Sequence, residues 1–220
     1  MADSIVQTSK NVTLIGAGDV NKGQLDAALE FAPYVIAADG GAQMALNYGI
    51  PPEKVIGDFD SVDKKALAKI PKNNQIHVSE QDSTDFDKCL RLVLAPLFLG
   101  VGFLGGRVDH QLAAFSSLIK HTGSRCILIG AEDLVFHVPR QIDLTLRPGS
   151  RLSLFPMMAV SGVSTGLHWP IEGLQFSPGV QIGTSNRVTD GPVSLQFAGR
   201  GMLVIVPRDA LGAVVAASCA

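Results

Sequence analysis

The chain has 220 residues, enough for one large domain or two small ones around a buried core. Hydrophobic residues make up 46% and charged ones 17%, and 18 basic against 20 acidic residues leave a formal net charge of -2. Such a balance carries no electrostatic footprint for nucleic acid or an anionic membrane, and no apolar run is long enough to cross a bilayer.

The first half alternates short β-branched runs with helix-like stretches. Asn11 to Ile15 ("NVTLI") predicts a strand, followed by the glycine-rich "GAGDVNKG" and a helix over Gln24 to Phe31. Tyr34 to Ala38 predicts a second strand, and "GAQMALNYG" a helix closed by Gly49 and Pro51. A short strand over Lys54 to Gly57 precedes a helix over Asp63 to Lys69, which stops before Pro71. Gln75 to Val78 is a further strand. The helix "TDFDKCLRLVLA" follows, with Phe86, Leu90, Val93 and Leu94 on one face. Val101 to Gly105 then leads into a last helix, "HQLAAFSSLIKH". Alternation of this kind implies a doubly wound, mostly parallel sheet.

After Gly123 the texture changes. "RCILIG", "LVFHV", "QIDLTL", "RLSLFP", "VSLQF" and "MLVIV" are short strand candidates split by turn signals such as "RPGS" and "TDGP". Ile142, Leu144 and Leu146 alternate with polar residues at period two. The expected architecture is an α/β domain over residues 1–123, then an antiparallel β-sandwich over 124–220, with a small barrel as the alternative. The alanine-rich end "DALGAVVAASCA" is compatible with a strand, a helix or a frayed tail. Cys89, Cys126 and Cys219 match no zinc spacing and no disulfide framework, which favours a reducing compartment. "MADSIVQTSKNVTLIG" carries an early Asp and no apolar stretch typical of a secretory signal, so the cytoplasm is the expected location.

Apart from Asp19, the notable acids of the first half fall just past predicted strand ends. Asp39 follows "VIAA", Asp58 and Asp60 follow "KVIG", Asp82 and Asp85 follow "QIHV", and Asp109 follows "VGFLGGRV". In an open parallel sheet those ends form one rim, where ligands bind. Acids converging there repel one another unless a cation or shared protons intervene, and magnesium with a nucleotide satisfies both fold and charge. Singly, Asp60, Asp63, Asp82 and Asp109 serve equally well as helix caps, and Asp87 as a surface partner of Arg91. Capping does not explain Asp58 and Asp60 together, because in an extended backbone residues two apart point the same way.

"GAGDVNKG" is neither a dinucleotide fingerprint nor a P-loop: Asn21 occupies the third glycine position, and Gln24 and Leu25 stand where Lys and Ser/Thr belong. It is a turn after the first strand, with contact to phosphate as the other possibility. In "GGRVDHQ", Gly105 and Gly106 allow close backbone approach and Arg107 can meet phosphate bidentately. His110 lies in the first helical turn, where a lone histidine is either a hydrogen-bonded structural residue or part of the phosphate site.

Taken in order, "ADGGA", "GDFDS", "QDSTDFDKCL", "GGRVDH", "GLHWPIEG" and "GTSN" resemble the thiamine pyrophosphokinase family from about Gly16 to Asn186. The resemblance implies an N-terminal ATP-binding α/β domain, a C-terminal β domain that helps hold thiamine, and a homodimer with each active site built across the interface. It implies transfer of a diphosphate from ATP to the primary alcohol of thiamine, with release of AMP. Asp58, Asp60 and Asp85 would hold magnesium and the phosphates, with Asp39 facing the same site. Gln81, Thr84, Lys88, Arg107 and Asp109 would line the nucleotide and diphosphate pocket, His110 joining the nucleotide side. Trp169 would stack on the thiamine pyrimidine, and Ser185 and Asn186 would hydrogen-bond it. On residue chemistry alone Trp169 suits either a flat cationic ligand or a β-sandwich core, and "TSN" a plain turn. Pro170 and Asp87 depart from the family pattern. The alternatives are a pterin alcohol pyrophosphokinase, which "GLHW" with "GTSN" disfavours, and a non-catalytic nucleotide-binding regulator of the same fold.

Overall fold

Runs such as "VTLI", "FLGV" and "CILI" are almost wholly apolar and buried at every position, so a sheet made from them must be covered on both faces, and helices supply the cover. The computed structural model of the chain describes residues 5–138 and 140–219, so the early Asp3 and the terminal Ala220 lie outside the described residues. One unit holds the described residues through Ser117 together with Cys126–Ala131; the other holds Leu118–Arg125 and the described residues from Glu132 onward.

In the first unit the order is β1 (Val6–Gln7), β2 (Val12–Ile15), α1 (Lys22–Phe31), β3 (Tyr34–Ala38), α2 (Gly41–Asn47), β4 (Lys54–Gly57), α3 (Lys64–Leu67), β5 (Gln75–His77), α4 (Asp85–Leu92), β6 (Val93–Leu94), β7 (Phe98–Val101), the start of α5 (Val108–Lys120), and β8 (Cys126–Ile129). The main strands lie in the order β8-β7-β2-β3-β4-β5, all parallel. β1 and β6 form a separate parallel pair. From β2 the chain winds outward through β3, β4 and β5, then returns to the other side of β2 for β7 and β8. The reversal of direction between β2 and β7 is the topological switch point at which such sheets open a ligand crevice.

Caps set the helix starts. Asn21 and Gln24 form a reciprocal capping box on α1, Asp63 accepts from the Lys65 N–H at the start of α3, and the Thr84 hydroxyl accepts from the Asp87 N–H on α4. Of the four acids expected as possible caps, only Asp63 acts as one. Asp109 lies inside the first turn of α5, and Thr84 takes the capping position expected of Asp82.

Three expectations shift. The strand placed at Val101 to Gly105 ends at Val101, because Gly102 turns to φ 77°. The long helix expected through Ala95 stops at Leu92, where the β-branched Val93 enters β6. Cys126–Ile129, expected to open the antiparallel part, pairs in parallel with β7.

The second unit contains β9 (Asp133–His137), β10 (Gln141–Leu144), β11 (Arg151–Pro156), β12 (Val160–Thr165), β13 (Gln175–Phe176), β14 (Gly183–Arg187), β15 (Val193–Phe197), β16 (Met202–Pro207) and α6 (Leu211–Cys219). Two antiparallel sheets result, β14-β11-β16-β9 and β10-β15-β12-β13. They meet at Gly183 of β14, where an added Cβ would stand 3.2 Å from the Phe176 ring of β13. The alanine-rich tail is a helix, packed against β10.

Candidate active site

The carboxyl ends of β2, β3 and β7 open onto a cleft of about 500 Å³, a size suited to a nucleotide-sized ligand. Glycines shape it by letting backbones approach. Cβ atoms on Gly16 and Gly18 would lie 2.6 and 2.7 Å from the Gly102 carbonyl, and one on Gly102 would lie 2.8 Å from the Gly16 carbonyl. The Gly16 N–H donates to the Val101 carbonyl (2.8 Å) and the Gly18 N–H to that of Gly102 (3.0 Å), pinning the β2 and β7 ends together. Asp39, Thr84, Asp85, Arg107 and His110 line the cleft, as do Asp19 and Phe103, to which sequence reasoning gave no role.

Asp39 is 2% exposed and stands at φ 42° directly after β3. One carboxylate oxygen accepts from the Phe59 N–H (2.9 Å) and the other from the Ser61 N–H (3.2 Å). Burial pushes its carboxyl above the usual range; those two N–H groups oppose the shift, and the charges of Asp58 and Asp60 add to it. Asp39, Asp58 and Asp60 each bring a carboxylate oxygen within 4.8 Å of the others. Their convergence does not come from an extended backbone, as expected, but from a left-handed turn at Phe59, φ 65°.

Asp85 approaches this group through Lys88. The Lys88 ammonium, on a side chain in a residue only 1% exposed, lies 3.0 Å from Asp85 Oδ1 and 3.4 Å from Asp58 Oδ2. The spacing follows from α4, which places residues three apart on one face. Gln81 Nε2 donates to the same Asp58 oxygen at 2.8 Å. Burial pushes the Asp58 carboxyl up, but the Asp60 N–H, Gln81 and Lys88 together bring it below its ordinary value. For Asp85 burial prevails over Lys88, and its pKa is raised. Burial pulls the Lys88 ammonium down, yet Asp85 and Asp58 outweigh it, so the lysine stays charged.

At the start of α5, Arg107 makes a two-point ion pair with Asp109 (3.1 and 2.6 Å), both side chains exposed. Hydrogen bonding from Arg107 holds the Asp109 carboxyl down at about 2. The His110 N–H donates to Asp109 as well (3.0 Å). Gly105 and Gly106, both at positive φ, lead into this helix.

In the second unit Trp169 is 56% exposed, so it is not a core residue. The His168 ring meets it edge-on at 4.5 Å. Asn186 is 7% exposed and bonds the Trp169 backbone. Ser185 is exposed at φ 62°, its N–H on the Ser153 hydroxyl at 2.9 Å. Among the described residues the non-glycine positions at positive φ are Asp39, Phe59 and Ser185, each within one of the singled-out motifs. Such strain concentrates where a surrounding structure enforces it.

Comparison with known proteins adds a further line. Residues 25–128 match the family model described as thiamin pyrophosphokinase, catalytic domain, and residues 135–200 that described as thiamin pyrophosphokinase, vitamin B1 binding domain. The chain is 30% identical over 185 residues to thiamin pyrophosphokinase 1 of Caenorhabditis elegans, covering 75% of each sequence. It is 27% identical over 183 residues to thiamine pyrophosphokinase of Bacillus subtilis, covering 78% of this chain and 85% of the relative. The fold is similar to solved thiamin pyrophosphokinase from Candida albicans, with TM-score 0.76 at 15% identity, covering 94% of this chain and 97% of that one. For the Bacillus subtilis structure the TM-score is 0.70 at 23% identity, with 90% and 98% covered.

Proposed function

Because the chain belongs to the thiamin pyrophosphokinase family, we propose that its acid-rimmed cleft is where diphosphate passes from ATP to the primary alcohol of thiamine, giving thiamine diphosphate and AMP. The observation that carries the site assignment is the meeting of Asp39, Asp58 and Asp60 beside the cleft. The match to a vitamin B1 binding model over residues 135–200, which includes Trp169, Ser185 and Asn186, favours thiamine over a pterin alcohol.

The donor set suits magnesium, which prefers hard carboxylate oxygens and shares its shell with phosphate. Asp58 and Asp60 would hold the ion, with Asp39 in reach of the same place, and Asp85 of α4, joined to Asp58 through Lys88, would complete the set. When bound, magnesium neutralises phosphate charge and helps align the reacting groups. Lys88 balances the carboxylates from beneath. Gln81 orients Asp58, and Thr84 and His110 face the nucleotide. Arg107 meets phosphate oxygens; its exposed pair with Asp109 is worth little in water and yields readily. Asp85 and Asp109 are the two carboxylates that could accept the proton of the thiamine hydroxyl late in the transfer. A loose phosphoryl transition state makes positioning and charge more important here than base strength.

Trp169 stacks on the thiamine ring system beside Ser185, and Asn186 belongs to the same subsite. The active enzyme is a homodimer with each site completed across the interface, and it works in the cytoplasm on small molecules, with no nucleic acid or membrane partner. No described helix is long and apolar enough to cross a membrane. The catalytic domain takes in β8 as well, so the thiamine-binding domain opens at β9 rather than at residue 124. The test is AMP formation from ATP and magnesium, with and without thiamine, resolved by chromatography. AMP and thiamine diphosphate should appear together only when thiamine and magnesium are both present. Folded protein that forms no thiamine-dependent AMP overturns the assignment.

A further inference from the structure

Phe59 separates the two acids of "GDFDS". An apolar residue between metal-seeking carboxylates invites the question of what it holds. Its ring packs against the buried cluster of Ala37, Ala42, Val55, Val62, Ala66 and Ile70, and lies 5.5 Å from the His77 ring. Its N–H donates to Asp39 at 2.9 Å, and the Ser61 N–H, two residues on, donates to the other oxygen of the same carboxylate. Phe59 at φ 65° and Asp39 at φ 42° are both in a conformation that side-chain-bearing residues avoid. Two strained residues bonded to each other persist only where the surroundings hold them. Gly57 belongs to the same arrangement, since a Cβ there would stand 2.7 Å from Asp39 Cβ.

The ring therefore points into the apolar cluster and the chain turns left-handed around it, while Asp58 and Asp60 stay on the accessible side. Without the ring, nothing apolar would oppose relaxation of the turn. We propose that Phe59 is the positioning residue of the acid group: its partly buried ring, packed on the apolar cluster, and its Asp39-held N–H together set Asp58 and Asp60 at metal-binding separation. This rests on the magnesium role given to those acids above.

The experiment measures Mn²⁺ binding to the protein alone, without nucleotide, by the electron paramagnetic resonance of the free ion. Wild type, Phe59→Ala, Phe59→Leu and Asp58→Asn are compared after circular dichroism establishes that each is folded. Phe59→Ala should bind Mn²⁺ about tenfold more weakly, and Phe59→Leu, which refills the apolar cluster, should recover most of that loss. Wild-type affinity in folded Phe59→Ala overturns the proposal alone. If wild type and Asp58→Asn both fail to bind Mn²⁺, the magnesium role falls and the proposal with it. Should Phe59→Ala not fold, amide exchange in the intact protein decides: slow exchange at Phe59 and Ser61 supports the clamp, and exchange at free-peptide rates overturns it.

Discussion

The side-chain amide of Asn186 grips both backbone polar groups of Trp169: Nδ2 donates to the Trp169 carbonyl at 2.6 Å, and Oδ1 accepts from the Trp169 N–H at 3.2 Å. The same Oδ1 accepts from the Arg187 N–H at 2.8 Å, leaving little of the amide for a ligand. On the function proposed above, Asn186 would act on thiamine through the placement of Trp169 rather than by a bond of its own. Asn186→Ala should raise the KM for thiamine at least about tenfold with the KM for ATP unchanged, at a stability cost on the order of 1 kcal/mol, because water can reach the freed groups. Trp169 is the sole tryptophan, so its fluorescence anisotropy reports the loop directly. Anisotropy should fall in the variant; an unchanged value with an unchanged KM would contradict the positioning role.

Asp60 is exposed, and its carboxylate accepts from the neighbouring Ser61 hydroxyl. No buried partner depends on it. Asp60→Asn should therefore keep the wild-type melting temperature and lose turnover by about a hundredfold or more, the scale of a missing ligand to a charge-neutralising ion. Parallel thermal melts and AMP assays check this. Near wild-type turnover in the variant would remove Asp60 from the site.

Lys88 presents the reverse case. Its side chain is 2% exposed between Asp58 at 11% and Asp85 at 31%, so removing the cation leaves partly buried carboxylates without a counter-charge. Lys88→Met should cost about 3 kcal/mol, as breaking a buried pair from one side does. Adding Asp85→Asn to that variant should return part of the loss, and saturating magnesium should raise its melting temperature more than it raises that of wild type. Urea denaturation of the single and double variants measures the coupling.

Much of the first unit was legible because its strands are short, buried, largely apolar runs that alternate with helical stretches. Asn11 to Phe31 reads nearly as expected since "VTLI" is buried throughout, but α1 starts at Lys22, two residues before the expected Gln24, because Asn21 caps it, a signal the sequence reading passed over. The acids at strand ends were equally readable. Asp39 was read on the same rim; what periodicity cannot anticipate is the left-handed backbone at Asp39 and Phe59 that brings its carboxylate up to Asp58 and Asp60. The β7 boundary failed for a related reason, since "FLGVGFLG" is uniformly apolar and only the φ of Gly102 ends the strand. β12 and β14 escaped because "VSGVST" mixes small polar residues with Val and Gly and has no regular buried face, and "GTSNR" is polar and mostly exposed. In β14 the Ser185 turn accompanies a register shift against Leu152 and Leu154, a bulge that breaks alternation.

Gly102 and Gly49 separate strain from crowding. Both stand at nearly the same angle, φ 77° and 73°, but a Cβ on Gly49 meets open space, whereas one on Gly102 would be 2.8 Å from the Gly16 carbonyl. Gly49→Ala should cost about 1 kcal/mol, the penalty of the left-handed conformation. Gly102→Ala should cost that and roughly 1–3 kcal/mol more for overpacking, and should weaken ATP binding because the β2 and β7 ends must part. Urea denaturation of both variants tests the difference; equal losses would mean the strand ends yield without cost.

His137, in the second unit, supplies a pH dependence of its own. Burial, and then the charge of Arg200, lowers its pKa from the ordinary 6.5, and its Nε2 accepts from the Gly201 N–H at 3.4 Å, a bond that only the unprotonated nitrogen can make. The unfolded chain therefore takes up the proton at a higher pH than the folded one. The resulting stability is fully present above about pH 6.5 and declines as pH falls from there through the lower folded value. His137→Gln can accept the same N–H without titrating, so its stability should change less between pH 7.5 and pH 5.5 than that of wild type. Chemical denaturation at the two pH values decides it, and parallel slopes for the two proteins would assign the acid loss to other groups.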